Sequence, residues 1–490
     1  MGMMGWAQET LQPAQVEHPA VHTHRPHVPR STSTQSEQLP ATALPSFCAP
    51  CVRENLSYLA GPGLHGRGSG TEDEHHAAEF IASKLKQNGL QPAADDGYIQ
   101  TVTIESRKVI GIATLSVGGN THTGATVWAH GKDIVFLRLT DAEATGTLQK
   151  VDLNQTSATA TAVRDGAAIA VKLKSGTTVE AVNSAVAPFR SSRPSIIMIA
   201  SSPELLGLYH SLAHHPPRIP KKIGDDSPAP SPVIVLVSAP AFEQMWTLPD
   251  GTPVRVQAQL TPWEQTHTWN VLAKVPGQQE DQVILLSAHL DHLGVLNGKM
   301  YPGADDDASG TVAVMELARI LANARPQRTV VVALWGSEEA GLIGSRYFLQ
   351  HPTFPLENIV ANLEFEMIAR ADPAVKPQQL WLTGYNRSDL GPQLAAHGAD
   401  LVADPHPSQN FFARSDNYAL AQKGIVAQTI SSFGLHKDYH QPGDTLGKIN
   451  WQHLDAAIQS MIEPLTWLSN TDFRPQWNQG ENPKAQAGQD

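Results

Sequence analysis

The sequence has few cysteines, no run of basic residues and no long apolar segment, and each scarcity excludes a class of protein. Its only cysteines are Cys48 and Cys51. A zinc ribbon needs a second pair, so these thiols are predicted to be inert or bridged to each other. The net charge of -12 argues against binding to nucleic acid. No stretch approaches the roughly 20 apolar residues of a membrane helix, which predicts no membrane span.

Three common catalytic motifs are missing as well. The chain has no G-x-S-x-G nucleophile elbow, no H-E-x-x-H motif and no P-loop. Apolar residues make up 41% of the chain and charged residues 17%, a balance typical of a globular protein with a sizeable core. A length of 490 residues predicts more than one domain.

Composition divides the chain into segments. Residues 1–45 are rich in Pro, His, Ser, Thr and Gln without a hydrophobic period, which predicts a disordered leader. Residues 105–258 contain short β-branched runs between Gly, Pro and Ser clusters, which predicts an inserted β-rich domain. The segments 46–104 and 259–470 are predicted to form one α/β domain, followed by a polar tail over 471–490.

The first seven residues, MGMMGWA, are apolar and small but lack the basic region of a secretory signal. We interpret them as the end of a signal peptide whose start lies upstream, which predicts a secreted or periplasmic protein. A disordered start without meaning is the alternative interpretation.

Strand-like and helix-like segments alternate after Trp269, from Val283–Ala288 to Trp451–Leu468. Such alternation predicts a mostly parallel sheet with helices on both faces. In open sheets of this kind, ligands bind beyond the carboxyl ends of the strands. The residues that follow each apolar run are therefore candidates for a functional site.

The first two such segments are rich in metal-ligand side chains. The run VILLSA ends in His289, and Asp291 shares its face if the extended conformation continues, so one can bind a metal while the other forms a hydrogen bond nearby. Further on, Asp306 lies between two other aspartates, and three adjacent carboxylates favour a multivalent cation. An EF-hand calcium loop does not match, because its alternating oxygen ligands and terminal Glu are missing.

Three further segments supply glutamates and a second imidazole. Glu338 and Glu339 follow the run TVVVALW, where one can face a metal and the other a bound water. Glu364 and Glu366 lie in an otherwise apolar strand, where an unpaired buried charge is costly. His440 lies in a turn-rich loop before the last helix.

Two histidines and several carboxylates from separate strand ends suit a hydrolase with two metal ions about 3.5 to 4 Å apart. The mixed nitrogen and oxygen donors favour zinc, although cobalt and manganese also fit.

Five segments, in this order and spacing, resemble the dizinc aminopeptidase family, which also includes glutamate carboxypeptidase-like enzymes. They are SAHLDH, GADDDASG, SEEAGLIGS, NLEFEM and YHQPGDT. The likeness extends from about Cys48 to Trp467, and residues 105–258 resemble the protease-associated domain that many members insert. The resemblance implies a three-layer αβα zinc-exopeptidase fold with a twisted mixed sheet.

The resemblance also implies two zinc ions per chain, held by His289, Asp306, Glu339, Glu366 and His440. Asp306 would bridge the two ions. His289 and Glu366 would complete one site, and Glu339 and His440 the other. Many members carry Asp where this chain has Glu366, and the longer side chain can shift the spacing or affinity of the metals.

Further roles follow from the same resemblance. Glu338 would act as the general base, and Asp291 would orient His289. Ser415, Asp416 and Tyr439 would lie on the substrate side. Asn417 replaces the His that usually follows Asp416 in the family, which leaves the substrate preference open.

The implied function is a zinc exopeptidase that removes N-terminal residues from peptides. Three alternatives stay open on the sequence: a carboxypeptidase or dipeptidase on the same scaffold, a glutaminyl cyclase-like enzyme with one zinc, and a non-catalytic binding protein.

Overall fold

A computed structural model describes residues 45–119, 124–155, 162–177, 182–214, 216–217, 219, 221–224, 231–296 and 298–484. The predicted leader lies outside the described residues, apart from Pro45. No helix within the described ranges is long and apolar enough to cross a membrane.

The described strands, in chain order, are β1 (Gln91–Pro92), β2 (Ile99–Ser106), β3 (Val109–Val117), β4 (Thr126–Ala129), β5 (Ile134–Arg138), β6 (Glu143–Asp152), β7 (Ala168–Lys172), β8 (Ile196–Ala200), β9 (Lys222–Ile223), β10 (Val233–Val237), β11 (Pro253–Leu260), β12 (Glu264–Val275), β13 (Gln279–His289), β14 (Gly294–Leu296), β15 (Lys299–Tyr301), β16 (Arg328–Trp335), β17 (Ile359–Phe365), β18 (Leu380–Leu382), β19 (Leu401–Ala403) and β20 (Ala427–Ser431).

The described α-helices are α1 (Ala49–Leu59), α2 (Glu72–Gln87), α3 (Val182–Val186), α4 (Leu206–Ala213), α5 (Ala239–Trp246), α6 (Ala308–Leu321), α7 (Ile343–Gln350), α8 (Leu390–Ala396), α9 (Asn417–Ala421), α10 (Trp451–Ser460) and α11 (Ile462–Leu468).

The main sheet has the strand order β19-β18-β20-β17-β13-β16-β12-β2-β9, with β1 paired to β12. Its centre is parallel, since β13 pairs in parallel with both β16 and β17, and β17 with β20. Strands β12 and β2 pair antiparallel on one flank, and β18 pairs antiparallel with β20 on the other. The α/β prediction is confirmed, and the sheet is mixed because its parallel centre has antiparallel flanks.

Helices cover both faces of this sheet because its central strands are buried on both sides. Along β13, Ile284 and Leu286 join the core that includes α6. Leu285 points the other way and packs in a second core with Phe348 of α7 and Leu420 of α9. The alternation places the sheet between two helical layers.

A second sheet, in the order β4-β3-β11-β6-β7-β8-β10-β5, is built from residues 109–260. These limits lie close to the predicted insert, 105–258. Within that segment, β9 departs from the pattern, because it pairs with β2 of the main sheet through Ile104 and Ile223. The description of this segment as a protease-associated domain stays a prediction.

The cysteines form a local bridge, as one of the two sequence-based options proposed. Cys48 and Cys51 are joined by a disulfide at the start of α1. The main-chain N–H of Cys48 donates to Oε1 of Glu316 on α6 at 2.7 Å. The bridge therefore lies where α1 is attached to the main domain.

The predicted polar tail, 471–490, is structured over its described part. Phe473 stacks on Trp467 with a centroid distance of 5.5 Å. The indole N–H of Trp477 donates to the carbonyl of Gly424 at 2.9 Å. Aromatic residues thus pack part of this segment against the main domain, which a prediction based on average polarity missed.

Arg67 connects three segments of the main domain. Its fully buried guanidinium donates to the carbonyl oxygens of Leu59, Leu290, Pro302 and Gly303 at 2.6 to 2.9 Å. Leu290 directly follows the end of β13, and Gly303 lies in the loop before α6. Arg67 therefore fixes the two segments that carry the first candidate ligands.

We expect Arg67→Met to lower the free energy of unfolding by about 3 kcal/mol or more, because four buried carbonyls lose a charged donor. Urea denaturation followed by circular dichroism measures the change. Arg53→Met is the control, since Arg53 is 40% exposed and pairs with Asp455 near the surface. That variant should lose less than about 1 kcal/mol. Equal losses in the two variants would contradict the role of Arg67.

Candidate metal centre

The loop before α6 divides its three aspartates between two tasks. Asp305 Oδ1 accepts the main-chain N–H of Ala369 at 2.8 Å, which ties the loop to the segment after β17. Asp307 caps α6, since its Oδ1 accepts the N–H of Gly310 at 2.9 Å. The outer carboxylates are thus used by the main chain. Asp306, between them, turns its carboxylate toward the candidate histidines.

One cluster of possible ligands joins His289, Asp306 and Glu366. Nε2 of His289 lies 3.2 Å from Oδ1 of Asp306. Glu366 directly follows β17, and one donor atom from each residue lies within 4.8 Å of the others. The parallel pairing of β13 with β17 brings the ends of these two strands together.

A second set of contacts surrounds the other oxygen of Asp306. Nε2 of His440 lies 3.2 Å from Oδ2 of Asp306 and 3.3 Å from Oε2 of Glu339. Glu339 follows the end of β16, the other parallel neighbour of β13. All five ligands predicted from the sequence therefore meet at one edge of the sheet, with Asp306 common to both groups.

Spacing and hydrogen bonding both fit zinc. Two ligands at tetrahedral angles and zinc bond lengths of 2.0 to 2.1 Å lie about 3.3 Å apart, and the contacts of His289 and His440 match that separation. Nε2 of His289, Oδ2 of Asp306 and Oε1 of Glu339 are buried without a hydrogen-bond partner. Buried polar atoms normally have a partner, and a shared cation would supply one.

The charge distribution is equally suited to a cation. Burial opposes a positive charge on His440, but Asp306 and Glu339 outweigh that effect and raise the pKa of the imidazole to about 10. The two carboxylates thus draw a proton to this position. A divalent cation would satisfy the same demand with the imidazole neutral.

Glu338 lies beside the ligands and belongs to neither metal cluster found among the described residues. Its main-chain N–H donates to Oδ1 of Asp291 at 2.9 Å, which fixes the turn after β16. Burial raises the pKa of its carboxyl well above the usual range, His289 opposes this, and Glu339 adds to it. The raised pKa favours the protonated form of this buried carboxyl.

Asp291 holds His289 differently from the sequence-based expectation. Nδ1 of the ring lies 3.1 Å from the main-chain carbonyl of Asp291 and 3.7 Å from its Oδ1. The second distance is too long for a hydrogen bond. The carbonyl therefore orients the ring, while the carboxylate accepts from Glu338 and from the hydroxyl of Ser69.

Two of the three predicted substrate contacts are buried. Ser415 and Asp416 are 2% and 0% exposed. Ser415 donates to Oε1 of Glu364 at 3.1 Å, and Asp416 accepts from the hydroxyl of Ser345. Each side chain therefore has a partner within the protein, and contact of either with a substrate stays a prediction.

The third predicted contact, Tyr439, lies at the site. Its ring stacks on His440 with a centroid distance of 3.9 Å. It also borders a pocket that adjoins Glu366, whose other lining residues include Met367, Trp381, Phe411, Arg414 and Phe433. A small recess with both aromatic and polar walls therefore lies next to one cluster of candidate ligands.

Two supporting residues were missed at the sequence level. Glu74 lies in the first turn of α2, and its Oε1 accepts the N–H of Ser337, next to Glu338, at 2.7 Å. Asp444 Oδ2 accepts the N–H groups of Asp305 and Asp306, each at 3.1 Å. Both contacts join residues far apart in the chain, and no local pattern signals them.

Comparison with known proteins agrees with this site. Residues 270–464 match the model of peptidase family M28. A 215-residue stretch is 28% identical to leucine aminopeptidase 2 of Trichophyton rubrum, and covers 38% of this chain and 42% of that protein. A 107-residue stretch is 41% identical to an aminopeptidase of Pseudomonas aeruginosa, over 21% of this chain and 19% of that protein. The matched part thus spans less than half of these relatives.

The fold has a solved counterpart. An aminopeptidase from Aneurinibacillus sp. strain AM-1 superposes with a TM-score of 0.55 at 17% identity, over 88% of this chain and 95% of that one. The family match covers the strands β13, β16 and β17 and all five candidate ligands. Over residues 270–464 the chain is therefore similar to peptidase family M28.

Proposed function

We propose that the chain is a zinc-dependent aminopeptidase that binds two zinc ions and removes N-terminal residues from peptides. The observation that carries this proposal is the sharing of Asp306 between two groups of donors. His289 contacts one of its oxygens and His440 the other. The carboxylate of Glu338, which belongs to neither group of donors, stands beside them and would serve as the general base that hydrolysis requires.

Bound zinc would polarise the scissile carbonyl and make water a better nucleophile at neutral pH. Glu338 would accept the proton of the attacking water and then donate it to the leaving amine. Its main-chain bond to Asp291 holds it in the same place for both transfers.

The surplus of carboxylates supports cleavage from the amino end. Besides the ligands, Glu364 and Asp416 are buried close behind the site, and burial raises the pKa of each. An environment this acidic favours a substrate that brings positive charge, such as a free α-amine. The aminopeptidase names of the matched relatives point the same way.

The aromatic part of the recess wall supports a preference for an apolar first residue. Phe411, Trp381 and Phe433 form much of its wall, and Phe411 stacks on Trp381 with a centroid distance of 5.4 Å. Glu366 borders the same recess. A residue whose carbonyl lies between the metals would therefore place its side chain against these rings.

The Cys48–Cys51 disulfide supports a location outside the cytoplasm. Disulfides persist in secreted and periplasmic proteins, whereas cytosolic thiols are usually kept reduced.

Replacement of the general base separates catalysis from metal binding. We expect Glu338→Gln to lower kcat by about 100-fold or more while two zinc ions remain bound, because the variant removes a base and no ligand. Peptide hydrolysis assays and elemental analysis of the same sample measure both quantities. Glu357→Gln, on the exposed surface, is the control and should change neither. Near wild-type turnover by Glu338→Gln would refute the assignment.

The direction of cleavage is tested with blocked peptides. We expect acetylation of the N-terminus to abolish hydrolysis and amidation of the C-terminus to leave it nearly unchanged, because the α-amine is the group recognised. Mass spectrometry of the products shows which end is shortened. The opposite pattern would indicate a carboxypeptidase. Loss of ammonia from an N-terminal Gln without shortening would indicate a cyclase.

The recess is tested by removing one ring. Phe411→Ala should reduce kcat/KM for peptides with N-terminal Leu by about tenfold relative to N-terminal Ala, since an apolar contact of this size is worth about 1 to 3 kcal/mol. The ratio of the two substrates is measured within each variant, so lost stability cancels. Phe354→Ala, which packs in the core outside the recess, is the control. An unchanged ratio in Phe411→Ala would exclude the recess as the specificity pocket.

A further inference from the structure

His292 is a buried imidazole at the metal centre that the five-ligand set does not use. Its side chain is 0% exposed. Nδ1 lies 2.8 Å from Oε1 of Glu339 and 3.7 Å from Oδ2 of Asp306. Despite these short distances, neither ring nitrogen has a hydrogen-bond partner.

His289 also has a ring nitrogen close to a carboxylate oxygen without a hydrogen bond to it. Its Nε2 lies 3.2 Å from a carboxylate oxygen of Asp306. A ring nitrogen that approaches carboxylate oxygens without donating to them is oriented as ligands of one cation are. Oδ2 of Asp306 and Oε1 of Glu339 lack hydrogen-bond partners too. Three buried donor atoms from three residues thus converge on one point.

The ring has little freedom to turn away. A Cβ atom on Gly303 would lie 2.5 Å from Cγ of His292, so the ring packs directly against the glycine main chain. The main-chain N–H of His292 donates to the carbonyl of Arg67 at 3.0 Å. Arg67, which fixes the two loops, therefore also helps to fix the position of His292.

We propose that His292 is a further ligand of the cation held by Asp306, Glu339 and His440. The inference rests on the proposed function, because it assumes that zinc binds there. With His292 this cation has four protein ligands, whereas the cation at His289, Asp306 and Glu366 has three. A site with four protein ligands is closed, and a site with three keeps a position for water or substrate. His292 therefore makes its site the tighter of the two.

The first experiment compares zinc affinities of His292→Asn and the wild type by competition with a chromophoric chelator. The Asn amide keeps a donor close to the position of Nδ1 but is a poor zinc ligand. We expect one of the two zinc ions to bind at least about tenfold more weakly in the variant. Binding of both zinc ions as tightly as in the wild type would mean that His292 acts only through a hydrogen bond to Glu339, and would overturn the inference.

His453→Asn is the matched control. His453 is also buried, and its Nε2 lies 2.9 Å from the hydroxyl of Ser432. It belongs to neither metal cluster of the described residues. Both zinc affinities should stay at the wild-type value, and a loss equal to that of His292→Asn would show that removal of any buried imidazole weakens the centre.

A second measurement needs no variant. In protein loaded with cobalt, proton NMR shows the ring N–H of each metal-bound histidine as a strongly shifted signal that disappears in D2O. We expect three such signals, from His289, His292 and His440, and two would overturn the inference. Wild-type protein that binds fewer than two zinc ions would instead refute the proposed function.

Discussion

The concentration of buried carboxylates at the carboxyl edge of the main sheet is the constraint on which the rest of the site depends. Asp305, Asp306 and Asp307 are adjacent and almost fully buried, and Asp444 lies against them. Unpaired buried charges are costly, so each must find compensation. Main-chain N–H groups supply it for the outer residues, as in the bonds from Gly310 and Met367 to Asp307. Of these aspartates, Asp306 is the one whose carboxylate remains for the proposed cations.

This division explains how two loops without regular structure can hold a rigid centre. Most of the N–H groups that these carboxylates accept, such as those of Met367 and Ala369, come from another segment, so each of these bonds both offsets charge and fixes a loop. Arg67 also fixes loops, but as a hydrogen-bond donor, since its guanidinium donates to four main-chain carbonyls. The free-energy cost of burying these charges is thus offset by hydrogen bonds that also fix the loops. The candidate ligands are therefore held in place before any metal binds.

The fold could be predicted from the sequence because it follows from local patterns, whereas the set of five candidate ligands came from the resemblance to a known family. Apolar runs marked β13, β16 and β17, and parallel pairing brings their ends together whatever the intervening residues are. The supporting contacts could not be predicted in this way. Glu74 looks like a helix cap in its local sequence, and its bond to Ser337 exists only in the folded chain. Ser415 resembles a substrate contact by position, yet its burial depends on tertiary packing.

The second sheet limits access to the centre. Glu339 borders a cleft whose opposite wall comes from residues 109–260, among them Leu137, Lys221 and Ile234. These residues reach the site because the segment leaves the main sheet at the end of β2 and returns at the start of β12, two strands that pair with each other. A peptide bound at the proposed metal centre would therefore lie between two walls. Such a cleft would admit a chain end more readily than the middle of a folded chain, in keeping with the proposed removal of terminal residues.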